Sequence, residues 1–210
     1  MNSNQKFVIT INRELGSGGR TVGRKLAEKL GVAYYDKAVI NALQERYNLT
    51  VEQIEELKGK EQSWWADFKR KLTFSDTEYE LNQTGIETED IFRAETEILR
   101  HIAKDESCVI AGRSGFYIFG DHPNHLSVFI QASMLSRVAR VAREQNMSKE
   151  QARLTIDKID RMRENYINEY AHTSRYDTRN YQLVLTMDEL TEDAAVELIL
   201  SYIRSMNNNQ

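Results

Sequence analysis

The chain has 210 residues, with 28 Lys and Arg against 32 Asp and Glu, a formal charge of −4, one cysteine, one proline and 10 glycines. That length fits one α/β domain, or a domain with a small subdomain, and needs no covalent staples. The lone Cys108 excludes an internal disulfide framework, the slight acidity argues against broad nucleic-acid binding, and no apolar run approaches the roughly 18–20 residues that span a bilayer.

Met1–Lys6 leads straight into a strand-like run and not into the apolar stretch of a signal peptide, so a reducing cytoplasmic location is expected, with no membrane partner. Phe7–Ile11 is a short β-rich run, followed at once by the glycine cluster Gly16-Ser17-Gly18-Gly19. From Thr21 the period changes: Val22, Leu26, Ala27 and Leu30 share a helical face until Gly31 stops the helix. Val32–Tyr35 reads as a second strand ending at Asp36. Residues 37 to about 104 are nearly all helix-like, with bends expected at Gly59, Thr73–Thr77 and Gly85. In the last of these helices, Glu87–Lys104, the residues Ile91, Ala94, Ile98 and Ile102 form one face.

A third strand, Ser107–Ala111, runs into Gly112-Arg113-Ser114-Gly115, and a fourth, Leu126–Ile130, precedes a helix from about Ser133 to Gln145. Residues 148–172 read as a charged helical pair. A fifth strand, Leu183–Leu185, leads to a helix from about Thr191 to Arg204, with Asp188 or Thr191 near its start and a frayed end at Asn207–Gln210. Strands alternating with helices in this way predict a three-layer α/β/α sandwich on a five-stranded parallel sheet.

Glu14-Leu15-Gly16-Ser17-Gly18-Gly19-Arg20-Thr21 stands where such a fold carries a phosphate-binding loop. Backbone N–H groups in a glycine-rich turn, together with the positive end of a helix dipole, make a cradle for oxyanions. Against G-x-x-x-x-G-K-[ST], Gly19 and Thr21 match, whereas Glu14 and Arg20 stand in place of the first Gly and the Lys. An arginine can still neutralise a β/γ-phosphate, and Thr21 would be the Mg²⁺ ligand. The competing account is a strand-to-helix turn whose glycines only permit tight packing.

Ile11–Arg20, Gly23-Arg24-Lys25-Leu26-Ala27 and Tyr34-Tyr35-Asp36-Lys37 resemble the N-terminal signature of the cytidylate kinase-like branch of P-loop nucleoside monophosphate kinases. Ala111-Gly112-Arg113-Ser114 resembles the Gly-Arg-Asp segment of bacterial cytidylate kinases, and Asp160-Arg161-Met162-Arg163 resembles their arginine-bearing lid. The resemblance runs from about residue 6 to 202 and implies a P-loop kinase fold. It divides the single domain into a core (6–36, 105–147 and 175–206), a helical acceptor-binding region (37–104) and a lid (148–172). The implied activity is transfer of the ATP γ-phosphoryl, with Mg²⁺, to a nucleoside monophosphate, CMP or dCMP first. In the implied roles, Gly16, Ser17, Gly18, Gly19, Arg20 and Thr21 hold the donor phosphates, with Thr21 on the metal. Asp36, Lys37, Arg113 and Ser114 hold the acceptor, while Arg20, Arg161 and Arg163 act on the transferring group. Bacterial cytidylate kinases carry a loop Lys, a Ser-Gly-Ala-x-Tyr-Arg stretch after the second strand and an Asp after Gly-Arg. Here those places hold Arg20, 37–42 (Lys-Ala-Val-Ile-Asn-Ala) and Ser114, so phosphoryl transfer is better supported than cytosine. The alternatives are a kinase of another small molecule and a nucleotide-binding protein without turnover.

Other residues carry two readings each. Asp157, Asp160, Arg161 and Arg163 form either a lid or a solvated charged face, and Arg137, Arg140 and Arg143 line a cleft or a basic edge. Asp36 could orient a substrate or cap a helix. Glu14 is a carboxylate at the rim of an anion site; it would pair with Arg13 or Arg20, or hold the metal through water. The four histidines have no metal-site spacing. Trp64, Trp65, Phe68 and Leu72 make an apolar stripe for core packing or a homodimer contact.

Overall fold

In a computed structural model, which describes residues 5–36 and 89–208, the chain divides into two units. One is Met1–Asp36 with Arg100–Gln210, and the other is Lys37–Leu99. The expected bends between 59 and 85, Lys37 and the Trp64–Leu72 stripe lie outside the described residues.

The first unit holds a five-stranded sheet, all of its pairs parallel, in the order β2-β3-β1-β4-β5. The strands are β1 (Val8–Arg13), β2 (Ala33–Tyr35), β3 (Cys108–Ala111), β4 (His125–Gln131) and β5 (Leu183–Thr186). Between them run α1 (Gly19–Leu30), α2 (Glu89–Asp105), α3 (Gly115–Ile118), α4 (Met134–Glu144), α5 (Lys149–Ala171) and α6 (Glu192–Asn208). All six residues of the central strand β1 are buried, because both sheet faces are covered by helices. On one face Ile9, Ile11, Val109, Val128 and Ile130 pack with Val22 and Leu26 of α1 and Val196 and Ile199 of α6. Lys25–Asp193 and Lys29–Glu197 ion pairs edge that seam, at exposed positions where such pairs add little.

The opposite face is more polar. Thr10, Asn12 and Ser127 alternate with the apolar set, as a period of two requires. Phe129 stacks on Tyr181 at 5.1 Å, and the Tyr181 hydroxyl accepts from Asn12 Nδ2 (2.5 Å) and donates to the Arg175 carbonyl (2.7 Å). The chain leaving α5 is thereby tied to the middle of the sheet. Cys108 is fully buried in β3, and burial pushes its thiol up to about 12.

The expected helical pair over 148–172 is one continuous helix, α5. Ser148 opens it with a capping box, its hydroxyl accepting from Gln151 N–H while the Gln151 side chain returns to Ser148 N–H. Its inward row is Ala152, Ile156, Asp160, Ile167 and Ala171, so a carboxylate interrupts the apolar stripe that would have marked a single helix. At the last helix Thr191 takes the N-terminal capping role, accepting from Ala194 N–H. Asp188 instead bonds the start of α4 through Ser133 and Ser136. α6 runs on to Asn208, past the expected frayed start. Ile98 and Ile102 are buried as their spacing predicts; the side chains of Ile91 and Ala94 lie outside those described. Among the described residues no helix is long and apolar enough to cross a membrane.

His125 at the start of β4 shares a 2.7 Å hydrogen bond with Thr10 Oγ1, and burial, with His122 nearby, pushes its imidazole down to about 4 from 6.5. A depressed base contributes stability that is present above the unfolded pKa and lost as pH falls towards the folded one. Urea unfolding is therefore expected to show a loss approaching about 3 kcal/mol between pH 6.5 and about 4, and His125→Gln should flatten that part of the profile.

Candidate functional site

β1 delivers the chain to the carboxyl edge of the sheet between β3 and β4, the edge where open α/β sheets bind ligands. Glu14 N–H still donates to the Ile130 carbonyl at 3.1 Å, extending the ladder one residue past the strand. The chain then turns through Gly16 (φ 80°) and Gly18 (φ 84°), with Ser17 N–H and Oγ both donating to the Glu14 carbonyl at 3.3 and 2.9 Å. The Val22 N–H to Gly18 carbonyl bond opens α1, so the first-turn N–H groups from Gly19 to Thr21 have no acceptor inside their own helix.

Packing explains two of the three glycines. A Cβ on Gly16 would lie 2.9 Å from the Arg137 carbonyl and from Val141 Cγ2, and one on Gly19 2.7 Å from Arg13 Cβ. At Gly18 the neighbour is a cation: a Cβ there would lie 3.2 Å from the Arg140 guanidinium, which Glu192 holds at 2.8 Å. A guanidinium beside a helix N-terminus puts positive charge on positive potential, an arrangement suited to an anion.

Below the loop lies a knot of buried charge. Asp160 Oδ1 accepts from Leu15 N–H at 3.1 Å, while Oδ2 takes Arg137 Nη1 at 2.5 Å. Arg137 Nε stands 3.5 Å from Glu14 Oε2, and that same oxygen accepts from Ala132 N–H at 3.2 Å. Burial pushes the Glu14 carboxyl upward and Arg137 pulls it back. Neither Arg13 nor Arg20, the partners expected from sequence, forms the ion pair with Glu14 found here. Arg175, fully buried after α5, donates to the Arg13 carbonyl and sits 3.6 Å from Asp160 Oδ1. Arg163 adds weaker contacts, 3.8 Å to Asp160 Oδ1 and 3.5 Å to the Arg13 carbonyl. Arg175 stood outside the sequence expectations, since an arginine in a polar connection carries no periodic signal; the tie through Tyr181 places it.

The other expected site residues divide. Arg163 joins the knot, whereas Arg161, two positions earlier on α5, is exposed, as is Arg143 on α4. Thr21 is exposed on the first turn of α1. Arg20 Nε pairs with Asp36 Oδ2 at 3.2 Å, which fixes Asp36 as a partner of the loop's own arginine. Arg113 and Ser114 follow Gly112 in three successive left-handed conformations (φ 82°, 56° and 53°), a strain of about 1–3 kcal/mol for each non-glycine that recurs at ligand clamps. Arg113 Nη2 donates to the Tyr166 hydroxyl at 3.4 Å, with the guanidinium 5.3 Å from that ring's centroid. Among the described residues the buried Ser114 hydroxyl has no hydrogen-bond partner. Among the described residues no group of three or more His, Cys, Asp and Glu side chains gathers for a metal.

The sequence matches the cytidylate kinase-like family over residues 8–189. The chain belongs to that family. No curated protein matches it. Among solved structures it is similar to an uncharacterized protein from Eubacterium ventriosum, with 25% identity, a TM-score of 0.72, and coverage of 95% of this chain and 99% of that one. It is also similar to shikimate kinase from Bacteroides thetaiotaomicron, with 15% identity, a TM-score of 0.51, and coverage of 94% and 98%, a likeness of fold. The five-stranded parallel sheet with helices on both faces is thus a P-loop kinase fold, and within the cytidylate kinase-like family this member carries Glu14 and Arg20 in its loop.

Gly16→Ala should cost about 1–3 kcal/mol, combining left-handed strain with overlap against buried α4 backbone, and is expected to lower the melting temperature by several degrees. Thermal unfolding checks this; an unchanged midpoint would mean that the loop does not lie against α4.

Proposed function

We propose that the protein transfers the γ-phosphoryl of ATP to a nucleoside monophosphate, with CMP or dCMP as the first acceptor, in the cytoplasm. The observation that carries the reading is the glycine loop at the carboxyl edge of the central strand, with α1 presenting its first turn and cations gathered around it. Family membership supports phosphoryl transfer more strongly than it supports any one acceptor.

In this reading the amides of Gly16 to Thr21 take the β- and γ-phosphate oxygens, and Arg20, kept in place by Asp36, supplies charge at the mouth of the loop. Mg²⁺ is bound through few protein groups, and the exposed Thr21 hydroxyl on the first turn fits that demand, with phosphate oxygens and water completing the shell. When bound, the ion neutralises charge on the transferring group. Arg113 and the buried Ser114 hydroxyl, which has no hydrogen-bond partner among the described residues, meet the acceptor, the guanidinium through a phosphate and the hydroxyl through a second polar group. Residues 37–104 are assigned the acceptor side and residues 148–172 the lid, with Arg163 acting on the transferring group and Arg161 a lid residue that would have to turn inward.

Ser114 favours a second reading within the same chemistry. A neutral hydroxyl, where bacterial cytidylate kinases carry a carboxylate, suits an acceptor other than a cytosine nucleotide.

The test is ATP consumption with Mg²⁺ against CMP, dCMP, the other nucleoside monophosphates and shikimate. Turnover with CMP or dCMP above the rest is expected. Turnover with another acceptor would keep the kinase and discard the cytidylate assignment. No turnover, with ATP still raising the melting temperature, would point to a binding role. Two variants probe the roles: Arg20→Ala is expected to remove ATP-dependent stabilisation, and Arg113→Ala to raise the acceptor KM about tenfold or more, the worth of a charge-assisted hydrogen bond. Wild-type behaviour in either variant removes that role.

A further inference from the structure

Leu15 lies between the end of β1 and the first left-handed glycine, and its backbone is fixed by side chains from two helices. Its N–H donates to Asp160 Oδ1 of α5 at 3.1 Å, and its carbonyl accepts from Arg137 Nη1 of α4 at 3.4 Å. Two successive peptide groups are thereby set just before Gly16, where the chain turns at a φ of 80°. One peptide earlier, the Arg13 carbonyl accepts from Arg175 and Arg163, and both guanidinia also face Asp160. Glu14, between these two points, takes Arg137 from the other side at 3.5 Å.

Asp160 is 7% exposed and Arg137 6%. Burying such ions is expensive, and an apolar cluster of similar shape would stabilise the fold as well or better, so stability alone does not account for them. The arrangement does fix the position of a loop backbone that has no strand or helix of its own to fix it. It also sets three guanidinium groups (Arg137, Arg163, Arg175) around the two carboxylates Glu14 and Asp160 below the cradle. Glu14 at the rim of an anion site is thus offset within the same cluster.

We propose that Asp160 is a positioning residue for the glycine loop: through Leu15 N–H directly, and through the Arg137 that it shares with Glu14, it holds the loop in its anion-accepting form and ties α5 to it. The proposal rests on the phosphate-binding reading of the loop. It has a signature that charge alone would not give. Removing a carboxylate near bound phosphate should tighten anion binding by simple Coulomb attraction, whereas losing the brace should weaken it.

The experiment measures Mg·ATP affinity by calorimetry, well below each variant's melting temperature, and Leu15 N–H hydrogen exchange by NMR on the free protein. Asp160→Asn is expected to weaken ATP binding about tenfold and to speed Leu15 exchange by a similar factor, as loss of one charge-assisted bond would. Glu14→Gln leaves the Leu15 bond in place and should weaken ATP binding less. The double variant should lose less than the product of the two single losses, because both act through Arg137. Unchanged or tighter ATP binding by folded Asp160→Asn overturns the proposal, and so do losses in the double variant that simply multiply. If Asp160→Asn does not fold, Glu14→Gln decides, and its binding ATP as tightly as wild type overturns the shared brace. If wild-type protein binds no ATP, the phosphate-binding reading fails, and Leu15 exchange alone decides whether Asp160 holds the loop: faster exchange in Asp160→Asn keeps the brace, equal exchange discards it.

Discussion

The pairing of β1 with β4 continues beyond the strands themselves. After Arg13 meets Ile130 in register, Glu14 N–H donates to the Ile130 carbonyl, and the Glu14 carboxylate then takes Ala132 N–H. One residue thus stitches the exit of β1 to the exit of β4 through both backbone and side chain, and the glycine loop starts from a fixed point. The tight approach of Gly16 to α4 and of Gly19 to Arg13 needs that fixed origin, since both leave only contact distances around the loop.

The two sheet faces share the work unequally. The α1/α6 face is apolar and regular, and it carries the larger of the two apolar clusters on the sheet among the described residues. The α5 face gives up apolar surface for a polar chain that runs from Asn12 through Tyr181 to Arg175 and on to the Arg13 carbonyl. The links of that chain are hydrogen bonds, but satisfaction is incomplete. Among the described residues Arg175 Nε and Nη1 and the Ser127 hydroxyl are buried without a hydrogen-bond partner, so this face specifies one arrangement at a cost in stability.

Much of this was legible in the sequence, and the failures share a cause. The switch from period 2 at Phe7–Ile11 to period 3.6 after Thr21, with three glycines between, identified β1, the loop and α1, and Gly31 in the left-handed region ended the helix as expected. The parallel sheet followed from the alternation of elements. What could not be read is where polar residues turn inward. Asp160 sits in the apolar row of α5 and made one helix look like two. Arg137 was read as lining a cleft or a basic edge, whereas it is buried against Glu14 and Asp160, both distant in sequence. Arg161 and Arg163 are chemically alike, and only the rotation of α5 about its axis separates the inward one from the exposed one. The orientation of that helix depends on long-range contacts such as Leu15 with Asp160, which no local pattern encodes.

Cys108 has a practical consequence. It is the chain's single cysteine, fully enclosed in β3 with its thiol pushed up to about 12, so the thiolate that reacts with maleimides and methanethiosulfonates is scarce at neutral pH. A cysteine introduced at an exposed place, such as Leu154 on α5, would be the one readily modified thiol in an otherwise native background. A spin label or fluorophore could therefore be attached to α5 without first engineering away a native cysteine, and the movement of that helix followed in solution.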